Sequence, residues 1–345
     1  MHDTARAARC QGDTVIRDTN AHNDSWEPNY AERVSVTIHF PDDARPSWLV
    51  HPVLALGNFD GLHRGHQKII DRVKRGAAEH GGSAMAMTFD PHPPRIVRPD
   101  KAPPLLMTKA QRLDELYRAG IQCVAVVRFT REMSQWDPDT FVRTVLVEWL
   151  RVSEVWVGAN FLFGHDRSGN FTSLRTLGQR YGFRADKIDP VRYKDFVVSS
   201  TRIRRLVTEG RLDEAGALLG HPYYLDGTVV EGSHRGREIG FPTANMTTGN
   251  ELLPPNGVYA TTMTIDGIVH AGMTNIGTRP TFGETTTTIE THLLGYSGDL
   301  YGRDVRLGFV LRLRDERRFD DVDSLRAQIE ADQRRAERLF SRLSV

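Results

Sequence analysis

The apolar pattern of this chain changes its period near Gly220, and at 345 residues that change implies two domains. Before it, short apolar runs at Val53–Leu56, Ala84–Phe89, Cys123–Val127 and Val155–Val157 read as strands covered on both faces. Between them, Gln67–Glu79, Lys109–Arg118, Thr140–Leu150 and Leu174–Tyr181 carry apolar residues at helical spacing. Strands alternating with helices predict an α/β domain built on a doubly wound parallel sheet. Ligands of such a sheet bind at the carboxyl ends of strands, beside a topological switch point.

Beyond Gly220 the segments Tyr224–Gly232, Val258–Asp266, Ile268–Gly277, Thr285–Leu294 and Asp304–Leu313 read as closely spaced strands. Asp266-Gly267 between two of them is a hairpin-turn signal. The expectation is a small antiparallel β-barrel. A final amphipathic helix, with Leu325, Ile329, Ala336, Leu339, Phe340 and Leu343 on one stripe, is expected to cover it. Two short helices between Thr201 and Gly220 are expected to join the domains, giving boundaries at 34–220 and 221–345. Residues 1–33 are polar and aperiodic and are expected to be a disordered extension.

Composition narrows the function. A formal net charge of +1 and no basic patch interleaved with aromatics argue against nucleic acid as a partner. No apolar run approaches the roughly 20 residues needed to span a bilayer, so no membrane is expected. Cys10 and Cys123 lie far apart without metal-ligand spacing, which suits a reducing, cytoplasmic setting. Oligomeric state is left open, a homo-oligomer included.

The first chemical string runs from Gly57 to His66, between a strand and a helix. Its glycines allow tight turning, and the helix amino end offers N–H groups and a positive dipole end to phosphate. His63 and His66, three apart, share a face and suit charge building on a transferring α-phosphate. A Gly-rich turn with two surface histidines is the competing reading, which the strand-to-helix position disfavours. Downstream, Ser199-Ser200-Thr201 before a helix reads as an N-cap or an anion site, with Arg204 one turn onward. The Phe89-Asp90-Pro91-His92-Pro93 string reads as a rigid loop or a binding loop.

The H-x-G-H box is similar to that of nucleotidyltransferases that release pyrophosphate from ATP. Together with Thr88–Pro93, Val157–Gly164 and Ser199–Arg204, it resembles the FMN adenylyltransferase module of bacterial FAD synthetases, over about Val53 to Gly220. The resemblance implies that Gly57, Phe59, His63 and His66 hold ATP phosphates. It implies that Asn160 contacts nucleotide or flavin phosphate, and that Ser199, Ser200, Thr201 and Arg204 close over pyrophosphate. Ala159, Leu162 and Val197 depart from the residues frequent in that family.

The second string is Gly232–Asn245, a loop whose glycines and arginines suit an anion and whose Thr243 and Asn245 suit Mg²⁺. A structural turn is the reading favoured by spacing alone. Glu290 and His292 alternate onto one face of a predicted strand, where a carboxylate in a barrel mouth could act as a base. A solvated surface carboxylate is the alternative.

Phe241–Asn245, Leu253–Tyr259, Asn275–Gly283, Glu290–Leu294 and Gly298–Gly302 occur in an order that closely resembles riboflavin kinase, a six-stranded barrel, from about Pro222 onward; Gly295-Tyr296 departs from it. By that resemblance Gly236, Arg237, Gly240, Pro242, Thr243 and Asn245 hold Mg-ATP. Thr243 and Asn245 are the metal ligands, and Glu290 is the base for the riboflavin 5′-hydroxyl. The expected function is thus ATP-dependent phosphorylation of riboflavin to FMN, then adenylyl transfer to give FAD. The alternative is a monofunctional riboflavin kinase with a silent adenylyltransferase domain.

Overall fold

The computed structural model describes residues 35–232, 236, 239–281 and 284–343. The extension expected at 1–33 lies outside the described residues. The chain divides into two compact units. One holds the residues up to Phe59, His66–Ala102 and Leu113–Asp189; the other holds Asp60–Gly65, Pro103–Arg112 and Pro190–Val345.

The first unit is built on a parallel sheet of β1 (Val36–Phe40), β2 (Val53–Leu56), β3 (Ala84–Asp90), β4 (Cys123–Arg128), β5 (Glu154–Gly158) and β8 (Arg184–Ile188). Their order is β1-β4-β3-β2-β5-β8. From β2 the chain runs outward through β3 to β4, then crosses to β5 on the other side. The switch point therefore lies at the carboxyl ends of β2 and β5. The helices of this unit include α1 (Arg64–Glu79), α2 (Pro93–Val97), α3 (Lys109–Arg118), α4 (Pro138–Phe141) and α5 (Phe171–Tyr181), with α1 and α3 crossing the division between units. Small hairpin strands β6 (Leu162–Phe163) and β7 (Gly169–Asn170) lie before α5.

The central strands are buried along most of their length because both faces are covered: Val53 to Leu56 of β2 are at most 1% exposed, and β3, β4 and β5 emerge only at their last one or two residues. Three elements differ from expectation. β1 and β8 are sheet edges: β1 has only Ile38 fully buried, and β8 mixes buried Ala185 and Ile188 with Arg184, Asp186 and Lys187, so neither shows an apolar run. The helix expected over Thr140–Leu150 begins earlier, where the Asp137 side chain accepts the Thr140 N–H at 2.7 Å and Pro138 occupies the first turn. It then continues as a π-helix over Val142–Trp149.

The long final stretch of the second unit opens with the hairpin β9 (Arg192–Tyr193) and β10 (Phe196–Val197), followed by α6 (Ser200–Thr208) and α7 (Leu212–Leu219). The barrel follows: β11 (Tyr223–Val230), β12 (Ala244–Thr248), β13 (Gly257–Ile265), β14 (Ile268–Thr281), β15 (Glu284–Leu293) and β16 (Asp304–Arg314). It closes in the order β11-β12-β15-β14-β13-β16. The β13–β14 turn carries Asp266 at φ 48° and Gly267 at φ 81°, the left-handed pair a two-residue hairpin requires. β12 had not been expected. It is five residues long, and only Met246 turns fully inward.

Inside the barrel, Leu225, Met246, Tyr259, Ile276, Ile289 and Phe309 form one core with Ile203, Leu206, Leu212 and Leu219 of α6 and α7. The two short helices are therefore part of the barrel's own hydrophobic core. On the outer barrel face, α8 (Val322–Leu343) lays Ala336 and Phe340 on Val258, Ala260, Met273 and Leu313, as the amphipathic stripe predicts. Truncating a side chain such as Phe340 at this seam costs roughly 3–5 kcal/mol.

Candidate active sites

In the first unit, Gly57 follows β2 and Asn160 lies in the turn after β5, so both stand at the carboxyl edge of neighbouring strands. The Gly57 N–H bonds to the Met87 carbonyl at 3.2 Å, and Thr88 Oγ1 donates to the Asn58 carbonyl at 3.0 Å. β3 thereby supports the turn. Asn160 is exposed. Phe59, at φ 51°, has a fully buried ring that lies 5.2 Å edge-on from the His66 ring. A Cβ on Gly57 would stand 3.4 Å from that ring. Phe59 can therefore serve a phosphate only through its backbone, while its ring props His66. His92, in the Pro-rich loop after β3, is buried.

The second unit contains the remainder of the turn. His63 precedes α1 and is buried, with its ring against Gly65, where a Cβ would meet it at 3.1 Å. Burial lowers the imidazole to about 4, aided by the nearby Arg204 charge, so it is neutral at pH 7. It is thus a hydrogen-bonding group rather than a fixed cation. Ser199 caps α6 by accepting the Arg202 N–H at 3.3 Å. Ser200 Oγ donates to the Asp60 carbonyl at 2.8 Å, and Thr201 is exposed. The Arg204 guanidinium pairs with the buried Asp60 carboxylate at 2.5 Å and donates to the Pro104 carbonyl at 2.9 Å. Burial raises the Asp60 carboxyl, while Arg204 and two backbone N–H groups oppose that rise. Asp60 was not among the residues expected to matter; its only sequence signal is its place inside the Gly57–His66 string.

A cavity of about 400 Å³ lies on the outer face of the barrel, between its strands and α8. Glu290, His292, Asn275, Thr243 and Gly236 line it, with Arg314 at the end of β16 and Asp332 on α8. The expectation of a carboxylate in the barrel mouth is thereby corrected. Ile289 and Thr291 turn into the core, so strand alternation points Glu290 and His292 outward into this cavity. The interior instead contains a hydroxyl chain, Thr261–Thr274–Thr291, with both links at 2.8 Å.

β12 decides the geometry around Glu290. Asn245 is paired across the ladder with Glu290, and Glu290 with Asn275, so the three form one row on β12, β15 and β14. Directly opposed residues project to the same face. Asn275 was missed as a site residue because a lone Asn in a strand carries no signal without its register. The Asn245 amide fits only because residue 232 is glycine: a Cβ there would lie 2.0 Å from Asn245 Nδ2. His292 is fixed by a 2.8 Å bond between its Nδ1 and the Pro242 carbonyl, and by Phe241 at 5.5 Å edge-on. Gly236 approaches Thr243, whose Oγ1 would be 3.2 Å from a Cβ at 236. Gly240 has φ 89°. Arg237 lies outside the described residues. On the far wall, Arg314 bonds Asp332 of α8 at 2.7 Å, and Gln328 donates to the other Asp332 oxygen at 2.8 Å.

The FAD synthetase family model matches residues 48–202, and the riboflavin kinase family model matches residues 219–340. The chain belongs to the bifunctional riboflavin kinase/FMN adenylyltransferase family. A protein of that description from Escherichia coli (strain K12) is 37% identical over 84% of this chain and 92% of its own length. One from Listeria monocytogenes is 34% identical over 90% of this chain and 99% of its own. The crystal structure described as a macrolide-efflux protein from Streptococcus pneumoniae aligns over 87% of this chain and 98% of that one, at 28% identity and a TM-score of 0.79. That likeness bears on the fold. Among the described residues no helix is long and apolar enough to cross a membrane. Because family models match both halves, the two-activity reading is supported over the kinase-only alternative.

Proposed function

We propose that this chain makes FAD in two steps with residues divided between its two halves, Glu290 serving phosphorylation of riboflavin and the Gly57–His66 turn serving adenylylation of FMN. The observation that carries the kinase half is the Asn245–Glu290–Asn275 row beside a cavity large enough for a flavin ring system. The riboflavin 5′-hydroxyl must lose its proton as it attacks the γ-phosphate of ATP, and Glu290 accepts that proton. Asn275 and His292 orient the carboxylate and the substrate around it. The arginine-rich Gly232–Asn245 loop, with Gly236, Arg237, Gly240 and Pro242, takes the ATP phosphates. Thr243 and Asn245 fit Mg²⁺: both are neutral oxygen donors, and Thr243 faces the same cavity as Glu290. When bound, Mg²⁺ neutralises charge on the ATP phosphates.

Adenylyl transfer needs no base, because the FMN phosphate is already ionised near neutral pH. It attacks the α-phosphate, and pyrophosphate leaves. Alignment and stabilisation of the developing charge are what the protein must supply. Neutral His63, with His66 in the first turn of α1, donates hydrogen bonds to the α-phosphate oxygens. The helix amino end and the Gly57 and Phe59 backbone hold the remaining phosphates, and Asn160 the nucleotide or flavin phosphate. Ser199, Ser200, Thr201 and Arg204 serve the pyrophosphate. The proposed setting is the reducing cytoplasm, in keeping with the free, buried Cys123.

The test is separation of products after incubating the protein with riboflavin, ATP and Mg²⁺. FAD with pyrophosphate is the expected result. FMN alone would restore the kinase-only alternative, and no flavin product would refute the reading.

A further inference from the structure

Asp60 lies inside the Gly57–His66 turn but has no part in the chemistry assigned above. Its side chain is almost completely buried, where a lone carboxylate would be costly. It is compensated from three directions. Oδ1 accepts the Leu106 N–H at 2.9 Å and the Met107 N–H at 3.3 Å. Oδ2 meets the Arg204 guanidinium at 2.5 Å, and the Asp60 carbonyl accepts from Ser200 Oγ at 2.8 Å. Arg204 is held on its other side by the Pro104 carbonyl. Gly61, at φ 88°, presses the turn onto the same segment: a Cβ there would stand 2.7 Å from Leu106 Cδ1. The Asp60 carboxylate therefore ties the turn preceding His63 to the 106–107 backbone and to Arg204 of α6, while its main-chain carbonyl holds Ser200 at the amino end of that helix.

A buried ion pair is weak evidence for stability, because a well-packed apolar substitute often does as well. Orientation is the better reason for its presence. We propose that Asp60 is the positioning residue of adenylyl transfer: it fixes where Arg204 and the Ser199–Thr201 cap stand relative to the His63 turn, and Arg204 engages pyrophosphate only from that geometry. Asp60 touches no reacting atom and acts through Arg204. The inference rests on the reading that these residues bind ATP phosphates.

A double-mutant cycle on the full chain tests it, with Asp60→Asn, Arg204→Ala and the pair assayed for FAD formation from FMN and ATP. FMN formation from riboflavin by the same samples reports folding. Asp60→Asn is expected to lower kcat/KM for adenylylation on the order of 10–100-fold, the scale of a misplaced binding group. KM for ATP should rise while KM for FMN and the kinase rate stay near wild type. In the Arg204→Ala background, Asp60→Asn should add little further loss. An equal loss in both backgrounds, or wild-type FAD formation by Asp60→Asn, would overturn the proposal. If Asp60→Asn also loses the kinase activity, Asp60→Glu replaces it in the cycle with the same two outcomes. Wild-type protein that makes no FAD would instead overturn the functional reading beneath it, and this inference with it.

Discussion

Acidification should destabilise this protein through one histidine. His63 is buried, and its imidazole is lowered from an ordinary value near 6.5 to about 4. Between those values the unfolded chain binds a proton that the folded chain does not. Stability must therefore fall as the pH drops through 6.5 toward 4, and the neutral form is favoured by roughly 3.4 kcal/mol in all. At pH 5 about 2 kcal/mol of that should already be lost relative to pH 8. The experiment compares urea unfolding of wild type and His63→Gln at pH 8, 6 and 5. Glutamine keeps a polar side chain but cannot titrate, so every other group cancels in the difference. The variant should gain about 2 kcal/mol on wild type between pH 8 and pH 5. A difference that stays constant across that range would show that His63 is not held neutral. The account of it as an uncharged donor to the α-phosphate would then be wrong.

Other consequences are as direct. Glu290→Gln should abolish FMN formation while FAD formation from supplied FMN persists, measured by product chromatography. His66→Ala should do the reverse, because its ring stands on Phe59 in the turn assigned to adenylyl transfer. Gly232→Ala should depress the kinase activity without touching adenylylation, since a methyl at 2.0 Å from Asn245 Nδ2 must displace that side chain; near-normal kinase kinetics would count against a role for Asn245. Asp332→Ala leaves the Arg314 guanidinium, only 20% exposed, without its carboxylate. Thermal unfolding of the barrel unit should report a loss of about 3–5 kcal/mol.

Much of the architecture was legible because burial on both faces leaves a plain mark. The central strands of the parallel sheet are short apolar runs, and the Asp266-Gly267 turn declares its hairpin. The edge strands β1 and β8 were not legible, because an edge is incompletely covered: β1 buries only Ile38 fully, and β8 carries three charged residues among five. β12 escaped for a related reason: with one inward Met among five residues, its strand character comes from the ladders on either side. That omission mattered for the site, because the register of β12 against β15 is what sets Asn245 beside Glu290.

The order of motifs along the chain carried the likeness to the family and its two activities, and it singled out Glu290 and the Gly57–His66 turn as the candidate reacting groups, since each depends on residue type at short spacing. Short spacing also determined that Glu290 and His292 share a face. Which face was a tertiary matter. A strand alternates identically whether its polar side lines a barrel or looks outward, and only closure around Met246, Tyr259, Ile276 and Ile289 turned Glu290 out toward α8. The same holds for Asp60 and Arg204, 144 residues apart, whose pairing exists only once α6 and the 104–107 segment pack around the turn. Local sequence sets which groups are available. Burial and register, which depend on distant segments meeting, decide which of them are charged, which are neutral and which line a cavity.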